Sequence, residues 1–131
     1  MPIRHFVDKA TLGLAFEVGN KQSYFRWQEE YGEAEADRMM EKYLNNIVGL
    51  FNERTEIVYV GNFMDTCSQE AIFAHEMVHY FQHVTEGVIE PGSYEEEMQR
   101  LRREMEAYNI EEKYRNAFCK ESKNEVSDTD L

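Results

Sequence analysis

The sequence contains two histidines, His75 and His79, in a segment whose apolar residues recur at helical spacing. Residues 75–79 read HEMVH. Residues four apart on an α-helix share one face and hold their Cβ atoms roughly 5–6 Å apart. Both imidazoles can therefore reach one ion at about 2.0–2.1 Å, the usual Zn–N distance. The spacing predicts a helix that presents two ligands to one metal ion.

Glu76 directly follows His75 and lies about 100° further round the predicted helix. Its carboxylate can therefore lean toward a metal-bound water without binding the metal. Zinc lowers the pKa of such a water to about 7, and a nearby carboxylate can take the proton as the hydroxide attacks a carbonyl carbon. We expect Zn²⁺ as the cofactor, Glu76 as the general base and peptide-bond hydrolysis as the reaction.

A catalytic zinc site usually has three protein ligands and one position for water. His83 is not the third ligand, because it lies about 12 Å from His75 along the helix axis at the standard rise per residue. The metzincin pattern does not fit either, since Thr85 stands in place of its third His and Gln82 in place of its Gly. The third ligand must come from another part of the chain.

A later segment, residues 104–108, reads EMEAY. Together with HEMVH it resembles the gluzincins, zincins whose third ligand is a Glu in a Glu-x-x-(Ala/Ser)-(Asp/Asn) sequence. The resemblance covers about residues 55–108 and is closest to the small one-domain gluzincins of bacteria, archaea and their phages. It implies a metal site of His75, His79 and Glu104, and it implies that the strand around residues 57–60 binds extended substrate. Tyr108 departs from the pattern, so we expect its hydroxyl or another group to support a ligand histidine.

Two acids in this segment compete for the metal. Glu104 and Glu106 point about 200° apart on a helix. The apolar residues of the helix recur on one side, at Met98, Leu101, Met105 and Tyr108. We expect this apolar side to pack on the domain and Glu104 to share it, whereas Glu106 should be solvated. The sequence therefore predicts Glu104 as the third ligand.

Periodicity also predicts the elements around the site. Apolar spacing predicts a helix over roughly 33–48, and β-branched and aromatic residues predict a strand over 55–60, with 50–51 as its hairpin partner. Capping-box spacing begins the metal helix at Thr66, with Gln69, and a last helix at Ser93, with Glu96. The metal helix should end near Gly87 and the last helix near residue 119. Residues 6–16 fit either a strand or a helical turn.

The chain has 131 residues, enough for one domain. We predict one α+β, zincin-like domain over residues 1–119, in which a short sheet backs the HEMVH helix and the Glu104 helix. The tail, residues 120–131, is polar and aperiodic, so we predict that it is disordered.

The 26 acidic residues outnumber the 14 Lys and Arg, which makes the net charge −12. Such a chain should bind neither nucleic acid nor an anionic membrane surface, and its expected partner is a peptide or protein substrate.

No signal-peptide core or membrane-spanning stretch is visible. Cys67 and Cys119 are far apart in the sequence, so we expect free thiols and a reducing compartment, and we predict a cytoplasmic protein. The sequence does not predict the oligomeric state.

Three alternatives accompany the peptidase hypothesis. The first is a non-catalytic interaction domain that zinc stabilises, where Cys67 could close the fourth ligand position. Glu76 argues against it, because a structural site needs no base beside the metal. The second is an inhibited or immunity-type binding protein that acts through its acidic surface. The third is a surface helix with two solvated histidines.

Overall fold

The computed structural model describes residues 2–87 and 94–119. In this part of the chain the order is β1 (Ile3–Val7), α1 (Lys9–Gly19), α2 (Lys21–Tyr31), α3 (Glu33–Asn46), β2 (Gly49–Asn52), β3 (Ile57–Gly61), α4 (Thr66–Glu86) and α5 (Tyr94–Phe118). The predicted α+β class is confirmed. The predicted tail at 120–131 and the predicted cap at Ser93 lie outside the described residues. Within the described residues, no helix combines the length and apolar character needed to span a membrane.

The three strands form one sheet in the order β1-β3-β2. β1 runs parallel to β3, with Ile3 opposite Ile57, and β2 runs antiparallel to β3, with Gly49 opposite Val60. The predicted hairpin is therefore confirmed, and the ambiguous start of the chain is a strand followed by a helix. Because β3 is hydrogen-bonded on both sides, it has no edge for a substrate strand. The expectation that residues 57–60 bind extended substrate is wrong, since the outer strands are β1 and β2.

The core positions α4 against the sheet. Phe51, Val58, Val60 and Ile72 form its buried cluster, with Val58 and Val60 fully inaccessible. Burying a side chain of this size contributes roughly 1.5–3 kcal/mol. One face of α4 is thereby fixed on β2 and β3, and the adjacent face is left to meet α5.

Helices α1, α2 and α3 form a second packed group beside the sheet. The Tyr43 ring on α3 stacks with Trp27 on α2 and with Phe16 on α1, each at a centroid distance of 5.6 Å. Gly32, with φ 90°, makes the turn between α2 and α3. The helix predicted over 33–48 is present but ends at Asn46, because β2 begins at Gly49.

Asp65 is the residue that caps α4. Its Oδ1 accepts a hydrogen bond from the backbone N–H of Ser68 at 2.8 Å, an interaction that stabilises a helix start by about 1 kcal/mol. The predicted cap at Thr66 is wrong by one residue, and the Gln69 side chain bonds the backbone before the helix. The predicted stop at Gly87 is confirmed, because Gly87 has φ 77° and follows the last helical residue.

The last helix, α5, packs on α4 with a polar face. Arg103 and Ala107 are buried, whereas Leu101, Met105 and Tyr108 are 56%, 58% and 59% exposed. The expectation that the apolar side of this helix packs on the domain is wrong. The physical reason is that α4 presents polar side chains to α5, and buried polar groups need hydrogen-bonding partners that an apolar side cannot provide.

A disulfide joins Cys67, in the first turn of α4, to Cys119, directly after α5, with a Cα–Cα distance of 5.8 Å. The expectation of two free thiols is wrong. Antiparallel pairing of α4 and α5 brings together residues that are 52 positions apart. The inference of a reducing compartment loses its basis with it.

Candidate metal site

His75, His79 and Glu104 come together between α4 and α5. One potential ligand atom from each lies within 4.8 Å of the other two. Glu104 Oε1 is 2.8 Å from His75 Nε2 and 3.4 Å from His79 Nε2. The two Nε2 atoms therefore face the same carboxylate, and the three side chains could hold one metal ion.

The second nitrogen of His75 has its own partner. His75 Nδ1 is 2.9 Å from Glu111 Oε1, a carboxylate two turns beyond Glu104 on α5. A proton on Nδ1 is thereby directed to Glu111, so Nε2 is the nitrogen that can exchange its own proton for an ion shared with Glu104. The imidazole is buried, so this contact is shielded from water.

The Nδ1 atom of His79 also has a hydrogen-bonding partner. His79 Nδ1 is 3.0 Å from Gln82 Oε1. The Gln82 amide in turn donates to the Arg103 carbonyl at 3.0 Å and to Glu106 Oε1 at 2.8 Å. Glu106 therefore faces away from the ligand atoms, as expected, yet it is not merely solvated, because it orients the amide that orients His79.

In the metal-free protein, burial and hydrogen bonding shift the pKa values of His75 and Glu104 in opposite directions. Burial disfavours a charge on His75, but the hydrogen bonds to Glu104 and Glu111 outweigh it and raise its pKa to about 10. Burial likewise disfavours the charged form of Glu104, but the hydrogen bonds from both histidines lower its pKa to about 2. In the metal-free protein, the negative charge of Glu104 and Glu111 is thus balanced by protonated histidine on α4. A metal cation would replace those protons.

Glu76 lies on the side of α4 that meets β2. The residue is buried, and burial raises the pKa of its carboxyl to about 7 against the opposing attraction of His75 and His79. A Cβ built on Gly49, the first residue of β2, would lie 3.1 Å from Glu76 Oε2. The Glu76 carboxylate therefore lies between the backbone of α4 and the start of β2.

The remaining predicted residues take other places. His83 lies against Phe51, with ring centroids 5.8 Å apart, and it does not belong to the group of described residues that could share an ion. The Tyr108 ring packs edge-on against His75 at 4.6 Å, while its side chain is largely exposed. Sequence reasoning missed Glu111. Its position seven residues after Glu104, and so on the same helix face, was the available signal.

The donor set fits a zinc ion. Two imidazoles and one carboxylate are the protein ligands of one class of catalytic zinc site. Both histidines also present the second ring nitrogen to an acceptor, which is how metal-binding imidazoles are usually held. Such a group, in a partly buried position between two helices, could hold a divalent cation.

Comparisons of the chain with protein-family models, with curated proteins and with solved structures give no match.

Proposed function

We propose that the protein is a zinc-dependent peptidase of the gluzincin type. His75, His79 and Glu104 hold the ion, and Glu76 is the general base. The observation that carries the proposal is the shared approach of the two Nε2 atoms to Glu104 while each Nδ1 meets an acceptor. Two solvated histidines on a surface helix would have no reason to be oriented from both sides.

Bound zinc would supply a Lewis acid for a carbonyl oxygen and would lower the pKa of a water molecule. With zinc bound, Glu76 would accept the proton of that water and pass it to the leaving amine. A general base works best when its pKa is near the working pH, and burial raises the pKa of Glu76 to about 7. Its closeness to β2 limits the directions in which the carboxylate can turn.

The proposed substrate is an extended peptide or protein segment. An extended segment can add to a free sheet edge through backbone hydrogen bonds. Of the two outer strands, β2 is the one whose first residue lies against Glu76. We therefore place the substrate along β2 rather than β3, with its carbonyl toward the site.

The test combines metal analysis with hydrolysis. Wild-type protein should bind one zinc per chain and cleave members of a peptide library. Glu76→Gln should keep zinc and fold but lose cleavage, because the amide is nearly isosteric and cannot accept the proton. A protein that binds no zinc would refute the proposal.

The non-catalytic alternative makes a different prediction in the same experiment. A zinc-stabilised interaction domain would bind zinc in both forms and cleave nothing. The exposed Leu101, Met105 and Tyr108 side chains of α5 offer such a domain an apolar contact surface. Cleavage by the wild type alone decides for the peptidase.

The location and partners stay predictions. The net charge of −12 disfavours nucleic acid and anionic membranes as partners. The cytoplasm was the expected compartment, but the Cys67–Cys119 disulfide is a feature typical of oxidising compartments. Thiol labelling of the protein before and after reduction, in its native cells, separates the two locations.

A further inference from the structure

We propose that Glu111 is a positioning residue that fixes the metal-facing nitrogen of His75, an inference that rests on the proposed zinc site. Glu111 Oε1 lies 2.9 Å from His75 Nδ1. An imidazole that donates its Nδ1 proton to a carboxylate keeps the lone pair on Nε2 and becomes a stronger ligand. The residue acts through His75 and does not touch the substrate.

Glu111 supports a ligand histidine, a role that the gluzincin pattern assigns to the position of Tyr108. Four residues after Glu104 the chain has Tyr108, whose ring packs edge-on against the His75 ring at 4.6 Å. This contact restrains the plane of the imidazole but does not select which nitrogen carries the proton. The hydrogen bond to Glu111, one turn further along α5, keeps a proton on Nδ1 and so leaves Nε2 for the ion.

The Glu111 carboxylate is itself held in place. Its Oε2 accepts a hydrogen bond from Arg115 Nε at 2.9 Å, and Arg115 Nη1 donates to Ser68 Oγ at 3.1 Å. The Glu111 side chain is only 17% exposed. Both carboxylate oxygens are engaged, and the chain of contacts ends in the first turn of α4, so the carboxylate is oriented before any ion arrives.

The two ligand histidines therefore differ. His75 meets a carboxylate, whereas His79 meets the neutral amide of Gln82. Hydrogen bonds to a charged acceptor are roughly twice as strong as neutral ones. We expect His75 to be the better-fixed ligand and the loss of Glu111 to weaken zinc binding more than the loss of the Gln82 amide.

The test measures zinc affinity by chelator competition, together with the ¹⁵N signals of the His75 ring. Glu111→Ala should weaken zinc binding by about 10–100-fold and shift the Nδ1 signal of the zinc-bound ring, because Nδ1 loses its acceptor. Glu111→Gln keeps the size of the side chain, so it serves if the alanine variant fails to fold, and it should show a smaller loss. The control is Glu112→Ala, which removes an exposed neighbouring carboxylate and should leave affinity unchanged.

The outcomes separate this inference from the proposed function. Zinc binding by wild type, with equal affinity and unchanged ring signals in both Glu111 variants, would overturn the role of Glu111 and leave the zinc site standing. A wild type that binds no zinc would overturn both. Weakened binding in the Glu111 variants, with Glu112→Ala unaffected, supports the inference without any measurement of hydrolysis.

Discussion

Gly49 on β2 lies so close to Glu76 on α4 that the strand has no room for a side chain at this position. An ideal Cβ would be 2.5 Å from Ile72 Cγ2 and 3.1 Å from Glu76 Oε2. The side chain of Ile72 belongs to the core, so it cannot simply turn away. The strand and the helix must separate if Gly49 is replaced.

The first prediction is that Gly49→Ala destabilises the protein by about 1–3 kcal/mol, the usual cost of overpacking. It should also lower peptide cleavage, because the added methyl group displaces the Glu76 carboxylate. Urea unfolding and cleavage rates measure the two effects. Gly13→Ala is the matched control, since the nearest atom to its added Cβ is an ordinary 3.6 Å away. Equal stability of the two variants would contradict the prediction.

The second prediction separates the two acids of α5. Glu104→Ala should lower zinc affinity by orders of magnitude, because it removes the carboxylate that both histidines face. Glu106→Ala should retain zinc with a loss no greater than about 10–100-fold, since it acts only through Gln82 and His79. Isothermal titration with zinc measures both. The reverse order of losses would assign the third ligand to Glu106.

The third prediction concerns pH. The pKa of His75 is raised from 6.5 to about 10 in the folded, metal-free protein. A raised pKa contributes stability that is complete below 6.5 and is lost as pH rises toward 10. Metal-free protein should therefore become less stable over this interval. Zinc needs deprotonated ligands, so the stabilisation that zinc adds should grow over the same interval.

Urea unfolding with and without zinc, at several pH values within that interval, tests both slopes. His75→Gln should reduce the metal-free slope, and His79, whose pKa is also raised, despite burial, by its hydrogen bond to Glu104, should account for what remains. The control His5→Gln, on exposed strand β1, should retain the full slope. Parallel stability curves with and without zinc would refute the prediction.

The fourth prediction concerns the disulfide. Replacing Cys67 and Cys119 together by Ser should lower the free energy of unfolding by about 2–4 kcal/mol, the usual range for a native cross-link. It should also weaken zinc binding, because Glu104 reaches the histidines only through the packing of α5 on α4. The double variant avoids free thiols, which would bind zinc themselves. Reductant should affect the wild type and leave the double variant unchanged; an effect on both would point to another cause.

Local patterns predicted the elements that local interactions determine. The β-branched run before Gly61 forms β3, and the helical spacing around His75 forms α4. The cap was misplaced because Thr66 and Gln69 have the right spacing, while Asp65 makes the hydrogen bond. A pattern of residue types does not tell which of two adjacent oxygens the helix uses.

Tertiary pairing accounts for what the sequence did not predict. The sequence predicts that the apolar side of α5 is buried. The face that packs on α4 is a polar one, because His75 and Gln82 on α4 form hydrogen bonds with groups on α5. The bond between Cys67 and Cys119 depends on the antiparallel approach of two helices, which sequence separation alone does not reveal. Glu111 was missed for the same reason.

The bond between Cys67 and Cys119 also closes a covalent macrocycle that contains every residue of the candidate site. His75, Glu76, His79 and Glu104 all lie on it, whereas the strands and the first three helices lie outside. If the N-terminal part opens locally, the closed loop limits how far Glu104 can move from the histidines. Less conformational entropy is then lost when these side chains come together again. The sheet contributes most of the buried core and the strand that lies against Glu76. The macrocycle contains the candidate ligands.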